Sequence, residues 1–225
     1  MKNYPASIKI GQNVVIEEGA IIGENVKIGH NTVILKDTEI GENVEIGSNC
    51  VLGIIPGGNR KMREINRVDK PVVINNGVRI GNLVSIYSNT VINENVFIGD
   101  QASIRENVII GEETVVGRSA IIELNTRIGK RCTIQTLAYV TGDTVLEDQV
   151  FIGPCVSMSN DKYMGAKDYN LKGPYIKEGA KIGNNASILP GISIGMRTIV
   201  GAGSVVTKDI LDDEIVVGVP AKQKP

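Results

Sequence analysis

The sequence predicts an all-β fold in which short parallel strands stack as a solenoid, and three observations carry that prediction. Aliphatic residues return at every sixth position, β-branched residues displace leucine, and glycine or asparagine recurs at fixed places behind the aliphatic. The 225 residues include 33 Ile and 26 Val against 9 Leu, with 26 Gly and no Trp, which inverts ordinary usage, where Leu leads. Side chains branched at Cβ are stiff at χ1 and favour strands over helices.

The first block, residues 8–52, places Ile at 10, 16, 22, 28, 34, 40 and 46 and then Leu52. The second, 72–158, resumes at Ile74 and holds the period through to Met158. The third, 176–206, runs from Ile176 to Val206. These 29 positions carry 22 Ile, 4 Val, 2 Leu and 1 Met, with no polar exception. Glycine follows at 15 of them, and Asn stands three places behind at 25, 43, 95 and 107. Both tolerate positive φ, so each unit reads as a short strand and a corner. The fourth place holds Val26, Thr32, Val44, Val78, Val84, Ala102, Ala120 and Ala138, small or branched side chains suited to point inward.

On an α-helix a period of six would scatter the Ile over three directions, and the units leave no room for hairpins. Coils of three units remain, each aliphatic resting on the one eighteen residues away. The prediction is one domain over 1–225, roughly ten coils and ~45 Å tall.

Two segments interrupt it. Residues 53–71 carry Arg60, Lys61, Arg63, Arg67 and Lys70 against Glu64 and Asp69, and read as an extruded basic loop. Residues 159–175 keep the phase but turn to Asn, Asp, Lys and Tyr, and read as a second loop. Long loops in compact domains often carry function. Residues 207–225 are expected to form a C-terminal tail.

A net charge of −1 and a pI near 6.0 give no basic field for coating nucleic acid. No secretory leader and no run of eighteen apolar residues is present, so the expectation is a cytoplasmic protein without a membrane span. Cys50, Cys132 and Cys155 form no CxxC pair, which suits a reducing compartment and indicates no structural zinc.

The stretches Ser103–Asn107 (SIREN), Phe151–Asp161 (FIGPCVSMSND), Ile199–Asp209 (IVGAGSVVTKD) and Gly218–Lys222 (GVPAK), set in this repeat, resemble the hexapeptide-repeat acyltransferases, and within them the N-acyltransferases of nucleotide-linked amino sugars. The resemblance implies a left-handed parallel β-helix, a homotrimer, and acetyl-CoA or another acyl-CoA lying in a groove between neighbouring columns. A nucleotide-linked amino sugar is then the acceptor.

For the cofactor, Gly183, Ala186, Gly201, Ala202 and Gly203 lack bulk and would let a pantetheine arm approach the backbone. Lys208 and Lys222 could meet its phosphates. Equally, small residues could simply close the last coil and the lysines be solvated.

For the acceptor amine the candidates are Glu106, Asn160 and Asp161 as catalytic groups, Glu106 as the base, with Asn107 beside them. Glu106 reads just as well as an ordinary corner like Glu24, Glu42 and Glu94, and Asn160 and Asp161 as turn caps. Ser103, Arg105, Arg118 and Tyr139 could line the acceptor pocket. Arg60 and Lys61 could hold a diphosphate, although charged loops are commonly just solvated.

Acylating a hydroxyl generally needs a positioned base, most often His, and the single His30 lies in an early coil. A neutral amine needs no such activation and reacts by proximity and desolvation. The expected reaction is therefore N-acylation by direct attack on the thioester. Cys155 stands near the second loop, but no His supports it as a nucleophile; Cys50 and Cys132 take inward fourth places. The alternatives are an O-acetyltransferase and a non-catalytic binding platform. A metal hydratase resembling γ-type carbonic anhydrases would need three His ligands, and calcium solenoids need nonapeptide repeats the chain lacks.

Overall fold

Each six-residue unit yields a two-residue strand and a corner, as at Lys27–Ile28, Val33–Ile34 and Glu39–Ile40, and three successive strands enter three different sheets. The computed structural model describes residues 4–59, 61–62 and 70–224. Sheet A holds 12 strands from Lys9–Ile10 to Lys222–Gln223, sheet B 10 from Val15–Ile16 to Val205–Val206, and sheet C 9 from Ile21–Ile22 to Ser193–Ile194. Partners stand eighteen residues apart where no loop intervenes, Lys27 beside Glu45 and Val33 beside Val51, except in the last coil, where Ile199 pairs with Ile215 sixteen residues on. The pairings are parallel throughout the column. Among the described residues only the last strand of sheet A, Lys222–Gln223, turns antiparallel.

The column has an inner and an outer face because alternate residues of each strand point opposite ways. The second residue of each strand points inward, and Ile34, Ile86, Ile104 and Ile122 are fully buried. Burial of one such side chain contributes about 1.5–3 kcal/mol. The fourth-place residues fill the remaining space: Val26, Val44, Ala120, Cys50 and Cys132 are all in the core. Threonines at that place donate their hydroxyls across the coil, Thr32 to Gly47 O at 2.8 Å and Thr114 to Gly129 O at 2.9 Å.

At the corners the third place after the aliphatic adopts the left-handed conformation, at Asn25 (φ 57°), Asn43 (φ 57°) and Asn107 (φ 60°). Leu83, Leu137, Arg131 and Cys155 adopt it too. The coil geometry therefore demands this conformation, which glycine meets at no steric cost, as at Gly77 and Gly191, and which Asn tolerates better than other residues with a Cβ. Glycine directly after the aliphatic answers a close approach: a Cβ on Gly29 would stand 2.5 Å from the carbonyl carbon of Gly47 in the next coil.

Both interruptions leave the column at the same place, the edge between sheets B and C. The first follows Val51–Ile54 and the second follows Ser157–Met158. Five steps of sheet B separate them, about 24 Å along the axis at a strand spacing of ~4.8 Å. Where the first departs, Gly53 takes φ 94°, and Thr38, which would donate there by the pattern of Thr32 and Thr114, keeps a buried hydroxyl without a partner among the described residues.

Residues 207–225 do more than trail. Ile210 bridges to Ile194 and Ile215–Val217 pairs in parallel with Ile199–Val200, so the column gains one level beyond Val206. Sheet A consequently has eleven parallel levels among its 12 strands, one more than the roughly ten the repeat alone predicts. Among the described residues no helix is long and apolar enough to cross a membrane.

Candidate functional site

Sheet B and its two edges gather most of the candidate residues. Ser103 and Tyr139 are the outward residues of sheet B strands Ser103–Ile104 and Tyr139–Val140. Arg105, Glu106, Asn107, Asn160, Asp161 and Lys208 lie along the B–C edge, which also gives rise to both loops. Arg118, Gly183, Gly201, Ala202 and Gly203 lie along the opposite A–B edge. Residues far apart in sequence meet because the eighteen-residue register stacks them.

The densest polar group sits on the B–C edge. Stepping by eighteen places Tyr87, Arg105 and Glu123 one above another. The Arg105 guanidinium stands 4.8 Å over the Tyr87 ring centroid, and donates to Glu106 through Nε at 2.8 Å and Nη2 at 3.1 Å. Its Nη1 lies 3.7 Å from Glu123, a charge contact longer than a hydrogen bond. Burial works against the Arg105 charge, and Glu106 and Glu123 outweigh it, so the guanidinium is held above its ordinary value.

Glu106 is buried, with 3% of its side chain exposed. Glu24, Glu42 and Glu94 are exposed, so Glu106 is no ordinary corner. Both of its oxygens accept from Arg105, which makes it a brace for that guanidinium. Tyr139 is pushed up by burial and then by the Glu123 charge, so it stands as a proton-bearing hydroxyl. Asn107 belongs to a ladder along the same edge, accepting from Asn89 at 3.3 Å and donating to Asn125 at 2.5 Å.

The second loop covers the upper part of this edge. Asn160 donates to Gly142 O at 3.3 Å and its carbonyl accepts from Lys172 N; the neighbouring Gly142 has no side chain to block that approach. Asp161 spends its carboxylate within the loop, accepting from Tyr163 N at 2.8 Å and Gly165 N at 2.7 Å. That is the turn-capping role open to it from the sequence. Tyr163 and Tyr169 meet edge to face at 5.7 Å, and with Lys172 and Leu189 they line a cavity of about 470 Å³.

The cofactor candidates divide. Ala186 is fully buried in the core, because its place is the inward fourth position, and it can touch no ligand. A Cβ on Gly183 would stand 2.6 Å from Ala202 N, and one on Gly201 2.7 Å from a Val217 methyl, so close stacking of the coils also favours glycine at both places. Gly203 differs: it takes φ 67° with open space around it, and with exposed Ala202 it leaves this stretch of backbone uncovered. Lys222 lies on the final strand of sheet A, whereas Lys208 is on the B–C edge, across sheet B from these glycines.

Lys61 is exposed in the first loop, and Arg60 lies outside the described residues. Arg118 is exposed and reaches Asp100 at 3.9 Å. His30 is on the A–B edge, where its Nδ1 accepts from Gln12 N at 2.8 Å. From three to six steps of sheet A separate it from the levels of Ser103 and Ser157, about 14 to 29 Å. Cys155 is exposed and Cys50 and Cys132 are buried. Tyr87, Glu123, Tyr163 and Tyr169 escaped sequence reasoning, though stepping by eighteen from Arg105 finds the first two.

Comparison with known proteins agrees with the repeat. The bacterial transferase hexapeptide family (six repeats) matches residues 19–53 and 173–208, and the GMPPB C-terminal domain matches 68–172. The chain is 33% identical over 88 residues to a galactoside O-acetyltransferase of Lactococcus lactis, covering 36% of this chain and 42% of that protein. It is 38% identical over 84 residues to the bifunctional protein GlmU of Fervidobacterium nodosum, covering 37% and 17%. The chain thus spans less than half the length of these relatives. A hexapeptide-repeat acetyltransferase of Vibrio cholerae, solved with acetyl coenzyme A, is similar at 25% identity and a TM-score of 0.42, covering 52% of this chain and 69% of that one. The hexapeptide transferase model thus matches two stretches near the two ends of the parallel column, and over them the chain is similar to the hexapeptide-repeat transferases.

Proposed function

We propose that the protein is an acyl-CoA-dependent N-acyltransferase that acylates the amino group of a nucleotide-linked amino-deoxy sugar, with acetyl-CoA as the donor. The observation that carries the reading is the gathering of Arg105, Asn107, Tyr139 and Asn160 around sheet B, with the sole imidazole three or more coils away. The acceptor lies along the B–C edge, and the donor runs past Ala202 and Gly203 on the A–B edge. Three columns assemble so that the donor groove is completed by a neighbour.

In the reaction the neutral amine attacks the thioester carbon and a C–N bond forms. The C–S bond then breaks, CoA leaves as the thiol, and the nitrogen gives up the proton that the sulfur gains. An amine with a pKa near 8 is already partly deprotonated at neutral pH, so positioning and desolvation supply much of the catalysis. A backbone N–H facing the carbonyl oxygen would steady the developing oxyanion. The braced Arg105 fixes the polar edge against which the sugar is set.

The test is thiol release from acetyl-CoA with dTDP- and UDP-linked amino sugars and their hydroxyl counterparts. Release with the amines alone is the expected outcome. Release with the hydroxyl sugars alone would favour O-acylation, which the likeness to a galactoside O-acetyltransferase supports. Absence of both release and CoA binding would leave a binding platform. Glu106→Gln should lower turnover about 10-fold or more, as expected when a charged hydrogen-bonded pair is broken, while CoA still binds. Unchanged turnover in that variant would remove Glu106 from the site.

A further inference from the structure

The polar group on the B–C edge is unbalanced in charge and in hydrogen bonds, and both imbalances fall on one residue. Arg105 brings one positive charge; Glu106 and Glu123 bring two negative ones. Glu106 takes two hydrogen bonds from Arg105 and is 3% exposed. Glu123 takes none among the described residues, has only the 3.7 Å charge contact, and keeps 20% of its side chain open to solvent. A carboxylate has about four lone-pair sites, and those of Glu123 are unused. A partly exposed carboxylate left with spare acceptors beside a fully committed Arg–Glu pair favours one more cation.

Its surroundings narrow what that cation is. The outward residue of the adjoining sheet B strand is Tyr139, whose phenol keeps its proton, and the level above on the edge is Thr141, buried at 3%. The next level up begins the second loop with Ser159 and Asn160. A Tyr hydroxyl and an amide carbonyl accept hydrogen bonds as readily as the carboxylate does. An alkylammonium carries three N–H donors on one small charged head and fits such a set of acceptors. A hydroxyl brings one donor and no charge, and a guanidinium is already present in Arg105.

We propose that Glu123 is the residue that receives the acceptor's amino group, binding it as the ammonium, and that the Arg105–Glu106 pair stacked on Tyr87 serves to hold the Glu123 level in place. This rests on the N-acyl transfer reading for the identity of the acceptor. Glu123 confers preference for an amino sugar over its hydroxyl counterpart. Release of one proton from the bound ammonium to solvent or to Glu123 then gives the neutral amine that attacks.

The experiment is calorimetry of the full chain with dTDP- and UDP-linked amino-deoxyhexoses and their hydroxyl counterparts, for the wild type and Glu123→Gln, alongside the thiol-release assay. Wild type should bind the amino sugar more tightly than the hydroxyl sugar. Glu123→Gln should lose about 10- to 100-fold of the amine affinity, as for loss of a charged hydrogen-bond partner, and leave hydroxyl-sugar affinity and the melting temperature unchanged. In turnover the same variant should raise KM for the amine more than it lowers kcat, which a merely structural residue would not do. Glu123→Asp should restore part of the preference.

Amine affinity equal in the wild type and Glu123→Gln overturns the assignment, as does a wild type that binds neither sugar or binds both alike. If thiol is released with amines but Glu123→Gln behaves as wild type, the assignment falls and N-acyl transfer stands. If the amine preference is lost in the variant but no thiol is released, recognition by Glu123 stands and N-acyl transfer falls.

Discussion

At the residue scale, burial decides the chemistry of side chains that look alike in sequence. Cys50, Cys132 and Cys155 all fall at corners, yet the first two take the inward place and the third takes the outward, left-handed one. Burial pushes the Cys132 thiol up to about 11 and raises that of Cys50 as well, and each donates to a carbonyl 3.1 Å away, Glu147 O and Gly81 O. The thiolate is the reactive form. Native protein should therefore titrate one fast thiol with an aromatic disulfide reagent at pH 8, and three after denaturation. Three fast thiols in the native state would contradict the packing, and Cys155→Ser should abolish the fast one. The inward places of Cys50 and Cys132 were legible because the period fixes them. The burial of Glu106 was not, because it arises from Arg105 folding back along the edge, which no period records.

At the scale of the element, the six-residue unit was readable almost completely. Ile or Val marks the inward strand residue, and Asn at 25, 43, 95 and 107 marks the left-handed corner. The last coil was not readable, because the inward Ile210 follows Val206 by four residues instead of six, so the phase shifts there before Val216 restores the spacing. Side chains replace it as the guide. Asp212 accepts from Met196 N at 2.9 Å and from Lys177 at 3.2 Å, and Asp213 grips Arg197 at 2.6 and 2.5 Å. The backbone N–H of Met196 and then Lys177 lower the Asp212 carboxyl, and Arg197 lowers that of Asp213, below the ordinary 3.8. A carboxyl depressed in the folded state stabilises above its unfolded pKa, and the contribution goes as pH falls through the folded value. The last coil should accordingly stay docked down to about pH 4 and loosen below it. Hydrogen exchange at Ile210 and Asp213, whose amides bond Ser193 O and Met196 O, corrected for intrinsic rates, reads this directly. Full protection at pH 2.5 would show that these carboxylates do not hold the coil, and Asp213→Asn should loosen it already at pH 7.

For the whole molecule, a solenoid stacks each coil only on its neighbours, so the column satisfies its interior but leaves its outer faces to chance or to a partner. Apolar residues stand outward on all three: Phe97, Val115 and Ile199 on sheet A, Val15 and Ile121 on sheet B, and Ile21, Ile109 and Tyr175 on sheet C, each at least 36% exposed. An arrangement in which different faces of identical columns meet is heterologous, and a threefold ring closes it. Stable contacts of this kind bury roughly 800 Å² per partner, well within the 11760 Å² that one chain exposes. Three chains of 24.1 kDa should then scatter light as a particle of about 72 kDa, unchanged on dilution to low micromolar concentration. The consequence for the site is specific. In a trimer the glycine-bearing A–B edge of one column can face the B–C edge of the next, and donor and acceptor meet between chains. A particle of one chain's mass would confine both to sheet B of a single column, where the Gly203 and Glu123 edges lie a full sheet apart. Turnover that falls with the square or cube of dilution, alongside loss of the larger particle, would tie activity to the assembly.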